Sequence, residues 1–293
     1  MATIALLRCA QKPNFITWDI GDIENFFVDD RMLINTFIEK GHHASQVIWN
    51  DPTIDWKKFD IVLIRSAWDY IDHFTEFLRV LQQIEASGCL LLNNYETVKW
   101  NVDKNYLLDL MRWNVPVVPT FKASTPGLTE LFRKNQWSEI IIKPTIGGGA
   151  SNIRRLGIAA LQRSIDELAN PDDFLVQPMI ASVISEGEYA FIYIDGKLSF
   201  THLKKPASGD YRVQGIYGGT IDVTQPLETD MNQVGSIYNM IPFDPLYARI
   251  DVVRMGEDLA VMELEMIEPI LNFELSPHGV EDFVQGVIRR CEH

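Results

Sequence analysis

The chain has 293 residues, 46% of them apolar and 11% aromatic, enough for one large or two to three small compact units with real cores. A formal net charge of −14 disfavours nucleic acid as a general partner. No stretch approaches 18 unbroken apolar residues, so neither a membrane span nor a membrane partner is expected. Cys9, Cys89 and Cys291 are far apart and form no CxxC pair; this argues against a disulfide framework or zinc site and fits a reducing cytoplasm.

In chain order, residues 2–8 (ATIALLR) read as a strand, in a segment without the basic leader and cleavage site of a signal peptide. Residues 14–28 read as a loop. Asp29 or Asp30 is placed to cap a helix through Lys40, with Met32, Leu33, Thr36 and Phe37 at helical spacing and Gly41 as its stop. Strands over 43–49 and 60–65 follow, then a helix over 71–87 ended by Gly88 and a strand over 89–92, all of which predicts an α/β layer. Ligands gather at the carboxyl ends of strands in such sheets, which makes Arg65 and Asp69 candidates to meet a substrate. A salt-bridged turn over a packed Trp68 is the other reading of RSAWDY. A helix over 103–112 has Tyr106, Leu107, Leu110 and Met111 on its apolar face. Lys104 sits in its first turn, where the helix dipole disfavours a cation, a hint that it serves something else. Pro116 and Pro119 mark a linker, and 125–135 reads as a helix.

Residues 140–151, IIIKPTIGGGAS, are a short buried strand closed by Lys143, stopped by Pro144 and followed by three glycines. Gly147, Gly148 and Gly149 can take positive φ and aim successive N–H groups at one anion, and a lysine at the strand end suits a phosphate. A loose loop after an edge strand is the alternative. The lysine precedes the glycines, so this is not a GxxxxGK[ST] loop. A helix over 158–169 and a strand over 174–177 come next. Strands over 186–194 and 198–203 flank Asp195-Gly196, a strong hairpin signal. Lys204, Lys205 and Arg212 gather around KKPASGDYRVQ, and Tyr217-Gly218-Gly219 is another flexible point. A helix over 226–240, strands over 249–254 and 259–265, and a helix over 277–290 complete the chain.

The last two strands carry acids at a period of two. Asp251 on one, and Glu263 and Glu265 on the next, can share a surface. Three clustered carboxylates repel unless a cation sits among them, and hard oxygen ligands favour Mg²⁺ or Mn²⁺. A solvated acidic sheet face is the alternative reading. A phosphate cradle upstream of a carboxylate set points to a magnesium-bound nucleotide.

This order resembles the ATP-grasp superfamily of carboxylate–amine ligases, on its glutathione-synthetase-like side. The residues that carry the likeness are Lys104 in "DK", IIIKP with GGG, LVQPMI, GEY before a hairpin, and D…E-x-E. RSAWDY (65–70) and WNVDKNYLLDL (100–110) are most similar to the ATP-grasp ligases of D-cycloserine biosynthesis and their relatives. The resemblance implies an ATP-grasp fold, α/β (α+β), with an N-terminal pre-ATP-grasp α/β domain over 1–115, a central lid subdomain over 116–183 and a C-terminal metal-binding subdomain over 184–293. It implies ATP and Mg²⁺ (or Mn²⁺) as cofactors, a small-molecule carboxylate and amine as substrates, and an ADP-forming reaction through an acyl-phosphate. An intramolecular cyclisation and a homo-oligomer both stay open. Lys104 and Lys143 then meet the ATP phosphates, Gly147 to Ser151, Ala150 included, cover them, Gln177 and Met179 meet adenine and Glu188 meets the ribose. Arg212 is placed near the acyl-phosphate, and Asp251, Glu263 and Glu265 are the metal ligands. Many relatives have asparagine where this chain has Glu265. Arg65, Asp69 and Tyr70 would hold substrate from the N-terminal side. Glu268 is a candidate for a substrate amine, with a turn role equally open. The rival functions are a nucleotide-binding protein without turnover and a small-molecule kinase.

Overall fold

A computed structural model describes residues 1–14, 16 and 23–291. β1 (Thr3–Arg8), α1 (Val28–Glu39), β2 (His43–Ile48), β3 (Ile61–Ser66), α2 (Phe74–Ala86) and β4 (Leu90–Leu92) form a parallel sheet in the order β2-β1-β3-β4. β1 and β3 are continuous apolar runs because both faces are covered: Ile4 and Leu6 enter one core, Ala5 and Leu7 the other. α3 (Tyr95–Asn101) and α4 (Tyr106–Arg112) lead out of this layer.

The second unit holds β5 (Phe121–Lys122), α5 (Leu128–Lys134), β6 (Glu139–Pro144), β7 (Arg154–Gly157), α6 (Leu161–Asp166) and β8 (Phe174–Pro178), an antiparallel sheet ordered β5-β8-β6-β7. The glycine-rich stretch is the connection between β6 and β7. After α7 (Ser182–Ser185) come β9 (Glu188–Ile194), β10 (Lys197–Lys205), β11 (Thr220–Val223), α8 (Glu228–Tyr238), β12 (Tyr247–Met255) and β13 (Asp258–Glu265). Their antiparallel sheet runs β11-β10-β9-β12-β13. Asp195 (φ 47°) and Gly196 (φ 80°) both take the left-handed conformation that the predicted tight hairpin needs. α9 (Pro277–Cys291) places Val280, Phe283, Val284 and Val287 in one core with Leu33, Phe37, Ile192 and Ile194, which cements the first sheet to the third. No helix among the described residues is long and apolar enough to cross a membrane.

Several expectations are corrected. Asp29 and Asp30 do not cap α1, which starts at Val28 with Phe27 as the flanking residue. Asp29 instead accepts the backbone N–H groups of Leu271, Asn272 and Phe273 at 2.9, 3.1 and 3.0 Å, so a distant loop takes its capping capacity. The loop expected over 14–28 lies largely outside the described residues; within it, Ile23–Phe26 is a 3₁₀ turn. The helix expected over 158–169 shortens to a 3₁₀ turn and α6, and α2 begins at Phe74 behind another 3₁₀ turn. β5, β7 and β11 are two to four residues long, too short to show periodicity, and exist through their partners.

Asn93 holds the layers in register. It is 3% exposed and left-handed (φ 57°). Its amide donates to the carbonyls of Tyr247 (2.8 Å) and Met266 (2.7 Å) and accepts from Leu246 N–H (2.7 Å). Each buried partner stranded by its loss costs about 1–3 kcal/mol. Asn93→Ala is therefore expected to lower unfolding stability by about 3 kcal/mol or more, read as a lower urea midpoint at unchanged m-value.

Candidate active site

The site grows from the pairing of β9, β10, β12 and β13. Glu188 lies opposite Lys204, Arg249 opposite Glu265, and Asp251 opposite Glu263. Directly opposed residues share a face, so six ionisable groups project from one side of the sheet. Lys204 Nζ lies 2.5 Å from Glu188 Oε1 and 2.8 Å from Asp251 Oδ2. Arg249 Nε lies 3.0 Å from Asp251 Oδ1, and its Nη2 pairs with Glu265. Lys104, in the turn before α4, reaches Glu263 Oε1 at 3.1 Å and donates to the carbonyl of Gly147 at 2.6 Å.

A cavity of about 530 Å³ opens over this face. Every sequence-predicted site residue lines it except Arg65 and Asp69. Arg65 is 2% exposed, donates to the Pro269 carbonyl at 3.0 Å and lies over the Tyr247 ring, 5.0 Å from its centroid. Asp69 accepts from Trp49 Nε1 at 2.5 Å. β3 is buried on both faces, so Arg65 turns inward, and Asp69, in the 3₁₀ turn after it, is buried against Trp49. Arg65 braces the N-terminal layer against the segment that carries Glu268, and Asp69 anchors an indole within that layer. Tyr70 does line the cavity, beside Glu268.

The glycine loop is ordered differently from the expectation. Of the three glycines only Gly149 takes positive φ (58°), together with Ala150 (55°) and Asn152 (57°). A Cβ on Gly147 would lie 3.2 Å from Pro144, so that glycine serves a close approach. Tyr217 donates to the Gly149 carbonyl at 3.0 Å and carries the Arg212 guanidinium 3.6 Å over its ring; Asp210 holds Arg212 at 2.8 Å. Gln177 donates to Thr120 Oγ1 at 2.8 Å, and Met179 lines the wall beyond it.

Lys204 and Arg249 are the functional groups that sequence reasoning missed. Both line the cavity and both touch Asp251. The detectable signals were the position of Arg249, two residues before an acid on one strand, and of Lys204, near the end of a hairpin strand.

Burial sets the electrostatics. It pushes Lys143 down to about 8, with Lys104 adding to the effect and Glu263 and Glu188 opposing it. Lys143 is 5% exposed and makes no ion pair among the described residues. For Lys104, burial lowers the ammonium, but Glu263, Glu265 and Glu268 together outweigh it and hold it above its ordinary range. Asp251 is held below the usual carboxylate range by Arg249 and Lys204 despite burial, and Glu263 by Lys104 and Lys143. Burial raises Glu265 to about 7 and Glu268 to about 8. Asp251, Glu263 and Glu265 each offer an oxygen within 4.8 Å of the others. Three hard oxygen donors at one point fit Mg²⁺ or Mn²⁺ better than a softer metal.

Comparison with known proteins places this geometry. Residues 4–93 match the family model for the N-terminal domain of the D-cycloserine synthetase DcsG. The cycloserine biosynthesis protein DcsG of Streptomyces lavendulae is 28% identical over 270 residues, covering 83% of this chain and 87% of that protein. The crystal structure of D-cycloserine synthetase DcsG superposes with a TM-score of 0.81 at 24% identity over 99% of both chains. D-alanine–D-alanine ligase from Bacillus anthracis, complexed with ATP, superposes at 0.68 and 14% identity over 99% of this chain and 97% of that one. The fold is the ATP-grasp fold, shared with these C–N-bond-forming ligases. Among such ligases it is a homologue of the D-cycloserine synthetases.

An unpaired buried ammonium lowers the stability of the free protein. With Lys143 shifted from 10.5 to about 8, the folded state bears the full cost below pH 8. The cost fades as pH rises towards 10.5, where neither state is charged. Lys143→Met is expected to stabilise the ligand-free protein at pH 7 by up to about 3 kcal/mol, and by much less at pH 10. The same variant should lose most of the thermal shift given by ATP with Mg²⁺. Parallel urea titrations at the two pH values, with and without nucleotide, measure both effects.

Proposed function

We propose that this chain is an ADP-forming carboxylate–amine ligase that activates a small amino-acid-like or peptide carboxylate as an acyl-phosphate, in an intermolecular coupling or an intramolecular cyclisation. The observation that carries the reading is the convergence of Lys104, Lys143 and the Asp251–Glu263–Glu265 set on one cavity beneath the glycine loop. In this reading residues 1–115 form the pre-ATP-grasp domain, 116–183 the lid and 184–293 the metal-binding subdomain, in a cytoplasmic enzyme. Gln177 and Met179 meet the adenine, Glu188 the ribose, and Lys104, Lys143 and the amides of Gly147 to Ser151 the phosphates.

A substrate carboxylate oxygen attacks the γ-phosphorus and ADP departs. The amine then attacks the acyl carbon, loses its proton, and phosphate leaves. Lys143, Lys104 and Arg212 cancel charge on the transferring group, and placement supplies most of the remainder. Mg²⁺ held by Asp251, Glu263 and Glu265 would neutralise the β- and γ-phosphate oxygens. The contact between Tyr217 and Gly149 joins the glycine loop to the segment bearing Arg212, which supports closure over the acyl-phosphate and exclusion of water.

Three measurements test this. Incubation of candidate acids and amines with ATP and Mg²⁺ is expected to give ADP and phosphate in equal amounts, and AMP with pyrophosphate would end the scheme. Hydroxylamine should trap the acyl-phosphate as a hydroxamate, whereas a kinase that phosphorylates a hydroxyl would yield none. Glu263→Gln, which weakens both a metal ligand and the Lys104 pair, should lower kcat by about 100-fold or more, with the nucleotide thermal shift losing its dependence on Mg²⁺.

A further inference from the structure

Gln177 is buried and lines the cavity, and its amide is held from outside the cavity. β8 and β6 pair so that Gln177 lies opposite Ile141 and Leu175 opposite Lys143, which puts Gln177 on the sheet face that carries Lys143. On its other side β8 pairs with β5, Phe121 opposite Val176, and one step back along that pair Thr120 stands beside Gln177. Thr120 is buried too and does not itself line the cavity. Its Oγ1 donates to the Val118 carbonyl at 2.6 Å and accepts from Gln177 Nε2 at 2.8 Å. The Val118 segment is fixed in turn. Val118 N–H donates to the Val261 carbonyl at 3.0 Å, and Val261 N–H to the Pro116 carbonyl at 2.8 Å, on the strand that carries Glu263 and Glu265. Met179, Ile180, Val183 and Met262 pack with Val118 in one apolar cluster and line the cavity from it.

A carbonyl oxygen can only accept, so the one hydroxyl proton of Thr120 is spent on Val118 and its oxygen is left as an acceptor. An acceptor is met by the amino end of an amide and not by its oxygen. The Gln177 amide is therefore held in one of its two orientations, with Oε1 turned away from Thr120. Oε1 has no donor among the described residues and is not sealed from solvent, so it opens on the cavity. We infer that Thr120 is a positioning residue that sets base selection. By keeping Oε1 on the cavity it favours a purine whose 6-position carries an amino group, which donates, over one with a 6-oxo group, which only accepts. This deepens the ligase reading, rests on its placement of adenine at Gln177, and adds a residue that touches no ligand. Beside apolar side chains, two facing acceptors lose water without gaining a bond. An amide free to turn would offer Nε2 to a 6-oxo group equally well. The discrimination thus belongs to the threonine's proton and not to the glutamine alone.

The test uses the full chain with Mg²⁺, no amino acid, and either ATP or ITP, which differ in carrying a 6-amino or a 6-oxo group. Calorimetry should show ATP binding at least about tenfold tighter, the margin of one hydrogen bond made against one refused. Thr120→Val, close in shape but without the hydroxyl, should bring the two nucleotides close to equal by weakening ATP and strengthening ITP. Thr120→Ser should keep the preference. In a Gln177→Leu background, where the preference is already lost, Thr120→Val should change it no further, a coupling that a merely structural threonine would not show. A cooperative urea transition reports that each variant is folded, and Thr120→Ala takes the place of the valine variant if that one is not. Equal binding of ATP and ITP to the unaltered protein, tighter ITP binding, a preference that survives Thr120→Val or is lost in Thr120→Ser, or a valine variant that loses both nucleotides would each overturn the inference. Binding of neither nucleotide to the unaltered protein would instead count against the ligase reading, and it is seen before any variant is made.

Discussion

Asp251 and Glu263 face one another across two paired strands, and much of the site follows from that repulsion. Like charges directly opposed in a sheet are destabilising, the more so where little water screens them. Relief comes from three cations of separate origin. Lys104 arrives from the turn before α4, Lys204 from β10, and Arg249 from β12 itself. Each brings a second tie. Lys104 holds the glycine loop through Gly147, Lys204 holds Glu188 on β9, and Arg249 holds Glu265 and the Ile270 carbonyl at 2.9 Å. One unfavourable pair thus recruits the lid, the central strands and the substrate-facing segment around a single cavity.

Two one-residue bulges make the arrangement possible. Between β12 and β13 the register shifts after Asp251, so that Met262 is the extra residue. Counted back from the turn without it, Asp251 would oppose Met262, and Glu263 and Glu265 would point to the far side of the sheet. Between β9 and β10 the shift falls at Ser199. Without it Glu188 would face Leu203, and Lys204 would project away from Asp251. A slip of one residue exchanges the two faces of a strand, so both bulges re-aim side chains at the site, the use to which bulges near active sites are put.

This accounts for what the sequence made legible. Lys143 and the glycines stand in one contiguous stretch, the Asp195-Gly196 hairpin is local turn chemistry, and Glu-x-Glu is a period-two pattern. All three could be read directly. Lys204 could not be assigned, because its place opposite Glu188 depends on a bulge that no residue pattern announces, whereas Arg249 shares the face of Asp251 by the period of two alone. Arg65 and Asp69 stand at a strand end that faces ligands in many open sheets, yet here the brace to Pro269 and the bond to Trp49 claim them. Asp29 read as a helix cap by local rules and serves instead a loop some 240 positions away. Local signals carried the phosphate side of the cavity, whereas long-range pairing decided the substrate side.

The two sides also differ in what they lack. On the phosphate side Lys143 is a desolvated cation without an ion pair among the described residues, and four carboxylates, Glu188 included, share the three cations Lys104, Lys204 and Arg249. A triphosphate with its metal corrects both imbalances together, since the anion meets the lysine and the divalent cation meets the acids. A chain of net charge −14 would otherwise repel such a ligand. It can hold one because attraction is confined to a recess where water does not weaken it, while the excess negative charge on the remainder of the surface is screened within about 8–10 Å. The cost appears in the free protein, whose site is least comfortable when empty, as expected where groups are set in place for a ligand rather than for the fold.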